Sequence, residues 1–233
     1  MLRNLLFSII FFTGIIFISI IFLPTLVLPK SLVLFGGKIM GIWASFCLRT
    51  ILSVKIKILG RENIITNKKF FIAASHQSMF ETFYLQTIFN SPVFILKKEL
   101  IFIPIFGWYL KKIGSISIKR DKVSRDNLSF FDDIKSTINK TGRPLIVFPQ
   151  GTRVKPKDRP PFKKGAARIY EELKISCQPV AINSGYVWPK NGPKTPNKQI
   201  TISLLPSIDF GMEKNEFMNY LEKKIYDELD RIN

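Results

Sequence analysis

The hydrophobic pattern of the 233-residue chain changes character near position 54. Leu5 to Leu23 is nineteen residues with no charge and no proline. As a helix at about 1.5 Å per residue it would be roughly 28 Å long, close to the thickness of a bilayer's hydrocarbon core. The run stays bulky through Phe22-Leu23-Pro24-Thr25-Leu26-Val27, without the small-x-small site of a cleaved signal peptide, so a retained anchor is expected. Pro24 and Pro29 end that helix. A second apolar segment, Leu32 to Leu52, is interrupted by Gly36, Gly37, Lys38, Gly41 and Arg49. It reads less like a second span than like a helix lying in the interface, with a shallow hairpin of both segments as the alternative.

From Val54 onward, short strand patterns alternate with helical ones. Residues 54–58 alternate with period two, and Phe70-Phe71-Ile72-Ala73-Ala74 is a continuous apolar run of the kind found in a central strand. Further strands are expected at 92–96, 113–118, 145–148, 179–182 and 199–205. Helices are expected at 80–89, 124–140, 163–173 and 215–232. The helix at 124–140 would carry Leu128, Phe131, Ile134 and Ile138 on one face. Val187–Lys198, rich in Pro, Lys and Asn, reads as a linker. This succession predicts an α/β domain with a mixed, largely buried sheet flanked by helices. The division expected is residues 1–53 as a membrane anchor and 54–233 as the domain that carries the chemistry.

Charge narrows the partners. Lys and Arg number 35 against 17 acids, a formal net charge of +18. Such an excess requires an anionic partner, and the 46% apolar content favours a membrane surface or a phosphorylated lipid over nucleic acid. Lysines and arginines from Lys30 to Lys57 follow the apolar N-terminus with no intervening acid, which places the body of the protein on the cytoplasmic face. One histidine and two distant cysteines, Cys47 and Cys177, argue against a zinc site and a structural disulfide.

Two stretches carry the candidate chemistry. Ser75-His76-Gln77-Ser78-Met79-Phe80-Glu81 follows the apolar run at 70–74. Positions i and i+5 do not share a helical face, so His76 and Glu81 meet only if the histidine sits in the loop before the helix and the glutamate in its first turn. The imidazole would then take a proton from a hydroxyl while the carboxylate sets its tautomer. The competing reading makes Ser78-Met79-Phe80-Glu81 a capping box and His76 an ordinary loop residue. In the second stretch, Phe148-Pro149-Gln150-Gly151-Thr152-Arg153, glycine lets backbone N–H groups approach an anion, threonine donates a hydroxyl and arginine binds phosphate through two parallel bonds. The basic tract Lys155, Lys157, Arg159, Lys163, Lys164 and Arg168 follows it. There is no P-loop and no G-x-S-x-G elbow.

These stretches together resemble the glycerolipid acyltransferase family, whose best-known members acylate 1-acylglycerol 3-phosphate. His76 and Glu81 are similar to its His-x4-Asp motif. Ile105-Phe106-Gly107-Trp108 with Gly114 and Arg120 resembles its second motif, Phe148 to Arg153 its Phe-Pro-Glu-Gly-Thr-Arg motif, and Gln178 to Ile182 its fourth. The resemblance runs from about Val54 to Leu205. It implies transfer of a fatty acyl group from acyl-CoA or acyl-carrier protein to a lysophospholipid hydroxyl, with no bound cofactor and no metal. His76 would be the base and Glu81 its orienting partner. Arg120, Gly151, Thr152 and Arg153 would hold the acceptor's phosphate. Two departures stand out: Glu81 replaces the usual aspartate, and Gln150, at the acceptor site, replaces the usual glutamate. Glycerol 3-phosphate, another lysophospholipid or a lyso-aminolipid therefore remain alternative acceptors. A catalytically idle, basic lipid-binding module is the rival class.

Overall fold

The computed structural model describes residues 2–118 and 130–233. Two long helices, α1 (Leu2–Ile21) and α2 (Lys30–Ile51), precede a sheet of seven strands. The strands are β1 (Lys55–Leu59), β2 (Phe70–Ala74), β3 (Val93–Lys97), β4 (Ile116–Ile118), β5 (Leu145–Val147), β6 (Ser176–Ile182) and β7 (Gln199–Leu204). Five further α-helices occur among the described residues: α3 (Phe80–Ile88), α4 (Phe106–Lys112), α5 (Phe130–Thr141), α6 (Gly165–Leu173) and α7 (Lys214–Ile232). The sheet order is β1-β7-β6-β2-β5-β3-β4, parallel throughout except for the antiparallel β6–β7 pair.

The central strands are apolar because both sheet faces are covered. Every residue of β2 is buried, and its side chains alternate between two cores. Phe70, Ile72 and Ala74 join a cluster with Leu48, Phe80 and Leu85, under α2 and α3. Phe71 and Ala73 join Ala166, Tyr170, Phe217 and Leu221, under α6 and α7. Phe7 and Phe11 of α1 are also buried in the first cluster, against Trp188.

Two expectations need correction, and the alternative of a helical hairpin is met. Residues 32–51 lie in one unbroken helix, α2, and both α1 and α2 are long and apolar enough to cross a membrane. They pack antiparallel as a hairpin, with Gly14 against Trp43 and Gly36 against Phe22. The glycines are close-packing positions rather than interruptions: a Cβ on Gly41 would lie 2.4 Å from the Phe83 carbonyl oxygen of α3. The stretch 187–198 is not a linker. Val187 and Trp188 are buried, and Asn4 of α1 and Lys194 exchange two hydrogen bonds, Asn4 Nδ2 to Lys194 O at 2.8 Å and Lys194 N to Asn4 Oδ1 at 2.6 Å. The strand at 113–118 shortens to 116–118 because Ile113–Ser115 close α4. The expected helix at 124–140 begins, within the described residues, at Phe130; Leu128 and Arg120, a phosphate-binding candidate from the sequence, lie outside them.

Candidate active site

Strands β6, β2 and β5 are neighbours and parallel, so their C-terminal ends lie side by side. Ligand sites of open α/β sheets form at such ends. His76 lies two residues beyond β2, Gln150 three beyond β5, and Ser184 two beyond β6.

His76 sits before α3 and Glu81 in its first turn, as the five-residue spacing requires. His76 Nδ1 is 3.3 Å from Glu81 Oε2. The Glu81 side chain is fully buried, and that of His76 keeps 14% of its surface exposed. Four other interactions fix the carboxylate. Ser78 N–H donates to both oxygens at 3.1 and 3.0 Å, Gln77 N–H donates at 3.3 Å, and the Ser184 hydroxyl donates to Oε1. The capping-box and catalytic-pair readings are therefore compatible. One buried carboxylate ties down the turn before α3 and still presents an oxygen to the imidazole, and the extra methylene relative to aspartate does not prevent this. With a carboxylate facing Nδ1, the ring proton belongs there and the Nε2 lone pair is available.

The histidine is held from its other side as well. The Phe148 ring stacks on the imidazole at 4.0 Å with an interplanar angle of 18°. Gln150 Oε1 accepts the His76 backbone N–H at 2.6 Å, and Val154 N–H donates to His76 O at 2.9 Å. Gly151 has φ +73°, where an L side chain is strained, and its N–H closes a turn onto Phe148 O. Beyond this turn opens a groove of about 780 Å³ lined by Gln150, Thr152, Arg153, Lys155, Lys163 and Lys190, among others. One acid, Asp158, lies among its lining residues. Four cations around one carboxylate favour an anionic occupant. No group of three or more His, Cys, Asp or Glu side chains suited to a metal ion occurs among the described residues.

The sequence reading missed Ser184 and Tyr226. Ser184 lies 103 residues from Glu81, and only the strand order joins them. Its sole local signal is the change from the apolar run of β6 to Asn183-Ser184-Gly185. Tyr226 donates its hydroxyl to Pro160 O at the groove wall and lies near Gln150; burial pushes that hydroxyl up to about 12.

The fold and this arrangement define an acyltransferase-type α/β protein. A model of the acyltransferase family matches residues 55–183, more than half of the chain, and the chain belongs to that family. Among curated proteins, the 1-acyl-sn-glycerol-3-phosphate acyltransferase of Pseudomonas aeruginosa is 32% identical over 155 residues, covering 64% of this chain. The protein of the same name from Saccharomyces cerevisiae is 29% identical over 181 residues, covering 76% of this chain. The chain spans 59% of the length of each of these relatives. The crystal structure of the 1-acyl-sn-glycerophosphate (LPA) acyltransferase PlsC from Thermotoga maritima superposes with a TM-score of 0.80. At 22% identity it covers 100% of this chain and 98% of that one, and it speaks to the fold.

Proposed function

We propose that the protein is a membrane-seated acyltransferase that transfers a fatty acyl group to the free hydroxyl of 1-acyl-glycerol 3-phosphate, giving phosphatidic acid. The observation that carries the reading is the orientation of the imidazole. Nδ1 faces the buried Glu81 carboxylate, while Gln150 ties the His76 loop to a cationic groove. His76 Nε2 takes the acceptor's hydroxyl proton as the oxygen attacks the thioester carbonyl. Glu81 holds Nδ1–H and stabilises the imidazolium. The carbon–sulfur bond then breaks, and the imidazolium returns the proton to the leaving thiolate. The donor is acyl-CoA or acyl-carrier protein, and no acyl-enzyme forms. Gly151, Thr152 and Arg153, with Arg120 from outside the described residues, bind the acceptor's phosphate, and Gln150 borders the same site. The roles divide along the chain: residues 1–53 seat the protein in the membrane, and 54–233 carry the chemistry on the cytoplasmic face.

The names of the relatives and the cationic groove favour a lysophosphatidate acceptor. The test is a side-by-side acceptor panel: lysophosphatidic acid, glycerol 3-phosphate, other lysophospholipids and a lyso-aminolipid, each offered with a labelled acyl thioester. Preference for lysophosphatidic acid is expected. Preference for another acceptor would move the assignment within the acyltransferase class, and transfer to none by folded protein in lipid would support the idle lipid-binding module.

A further inference from the structure

Seating the protein through α1 and α2 leaves one apolar patch unaccounted for. Between β3 and β4, Phe102, Ile103, Phe106 and Trp108 are 71%, 45%, 45% and 52% exposed. Isolated apolar side chains on a surface are ordinary, but four within seven residues mark an interaction surface. The backbone beneath them is closely built. Gly107 packs so tightly that a Cβ there would lie 2.1 Å from the Ile101 carbonyl oxygen. Ile105 holds φ 63° and ψ −59°, a conformation that β-branched residues rarely adopt. Hydrogen bonds Phe106 N to Pro104 O at 2.6 Å and Gly107 N to Ile103 O at 2.7 Å complete the turn.

The patch has cationic neighbours and an apolar continuation. Lys97, Lys111 and Lys112 flank it in sequence, and Glu99 is the one acid within residues 97–112. The Tyr109 hydroxyl donates to Ser19 O of α1 at 2.6 Å, and α4 packs beside the turn at 23–26. There Leu23, Val27 and Leu28 are also exposed.

We infer that segment 98–112 is a second lipid-contacting element, whose occupant is the surface of an anionic bilayer. Aromatic rings suit the depth of the headgroups, and the lysines suit their phosphates. The inference rests on the reading of α1 and α2 as a membrane seat and extends it. A hairpin alone leaves the domain free to rock on the membrane, whereas a second contact beyond the hairpin's tip fixes its tilt.

The test places an environment-sensitive NBD fluorophore on one added cysteine in each of three full-length variants, at Ile103, at Phe17 of α1 and at Tyr220 of α7. The native Cys47 and Cys177 are buried. Vesicles of phosphatidylcholine and phosphatidylglycerol carry nitroxide-labelled acyl chains. Quenching at 17 and 103 but not at 220 is expected. Quenching at 17 without 103 overturns the inference and leaves the hairpin seat intact. Quenching at neither overturns both. A blue shift at 103 that needs no vesicles and rises with protein concentration assigns the patch to a second copy and also overturns the inference. In parallel, the pair Phe102→Ser and Ile103→Asp lowers partitioning into these vesicles by about tenfold or more, because two apolar side chains no longer leave water. Unchanged partitioning contradicts the proposal.

Discussion

The two halves of the candidate site are built on opposite principles. Around Glu81 everything is enclosed and satisfied: a fully buried carboxylate accepts from two backbone amides and one hydroxyl and faces one imidazole nitrogen. Around Arg153 the chain is open, and Lys155, Lys163 and Lys190 line the groove with one acid among them. Under the proposed function the first half fixes a proton's position, which demands rigidity. In the same reading the second receives a charged substrate, which demands access and an uncompensated field. Substitutions in the enclosed half should therefore change turnover and stability together, and those in the groove should change substrate affinity.

Glu81→Ala breaks the enclosed half most severely. Turnover should fall by about 10²–10⁴-fold with loss of effective acid–base catalysis. Stability should fall by on the order of 3 kcal/mol, because each buried N–H stripped of its acceptor costs roughly 1–3 kcal/mol. Glu81→Gln, nearly the same in shape, should impair turnover while the domain still unfolds cooperatively in urea. Normal turnover in that variant would leave the carboxylate with its helix-capping task alone.

Arg153→Ala probes the open half. Removing a charged hydrogen-bond donor worth about 1.5–3 kcal/mol should raise KM for the acceptor roughly 10- to 100-fold with a smaller change in kcat. A fall in kcat at constant KM would move Arg153 out of ground-state phosphate binding. Ser184→Ala sharpens the contrast, since it removes one donor to Glu81 from 103 residues away. It should lower stability by about 1 kcal/mol and reduce kcat with KM nearly unchanged. The smallest effect is expected from Asn4→Ala, which unties α1 from the strand of chain carrying Pro189, Lys190 and Asn191 along the groove. Thermal unfolding should show a loss of about 1 kcal/mol.

Much of this was legible from residue order. The run at 70–74 announced a central strand because a strand covered on both faces has no polar side to show, and the run at 145–148 announced a further strand. The His76–Glu81 spacing stated its own geometric condition, a loop histidine and a first-turn glutamate, and the fold meets it. The sequence could not reveal that one carboxylate serves both the turn and the imidazole, because which oxygen faces which donor is decided by packing. Gly36, Gly37 and Gly41 read as interruptions, since composition reports helix propensity but not which neighbour needs the space. Val187–Lys198 read as a linker for a related reason: Pro, Lys and Asn specify a loop and say nothing of Phe7, Trp188 or Asn4 packed against it. Ser184 was invisible because its place depends on β6 lying beside β2.

The proposed mechanism turns on His76 as the base. Its most direct test is acyl transfer from a labelled thioester to lysophosphatidic acid, with wild type and His76→Ala assayed in parallel in the same lipid and cooperative urea unfolding showing that both are folded. Product is expected from wild type, with a loss of about 10²–10⁴-fold in the variant. Equal rates from the two folded proteins would contradict it.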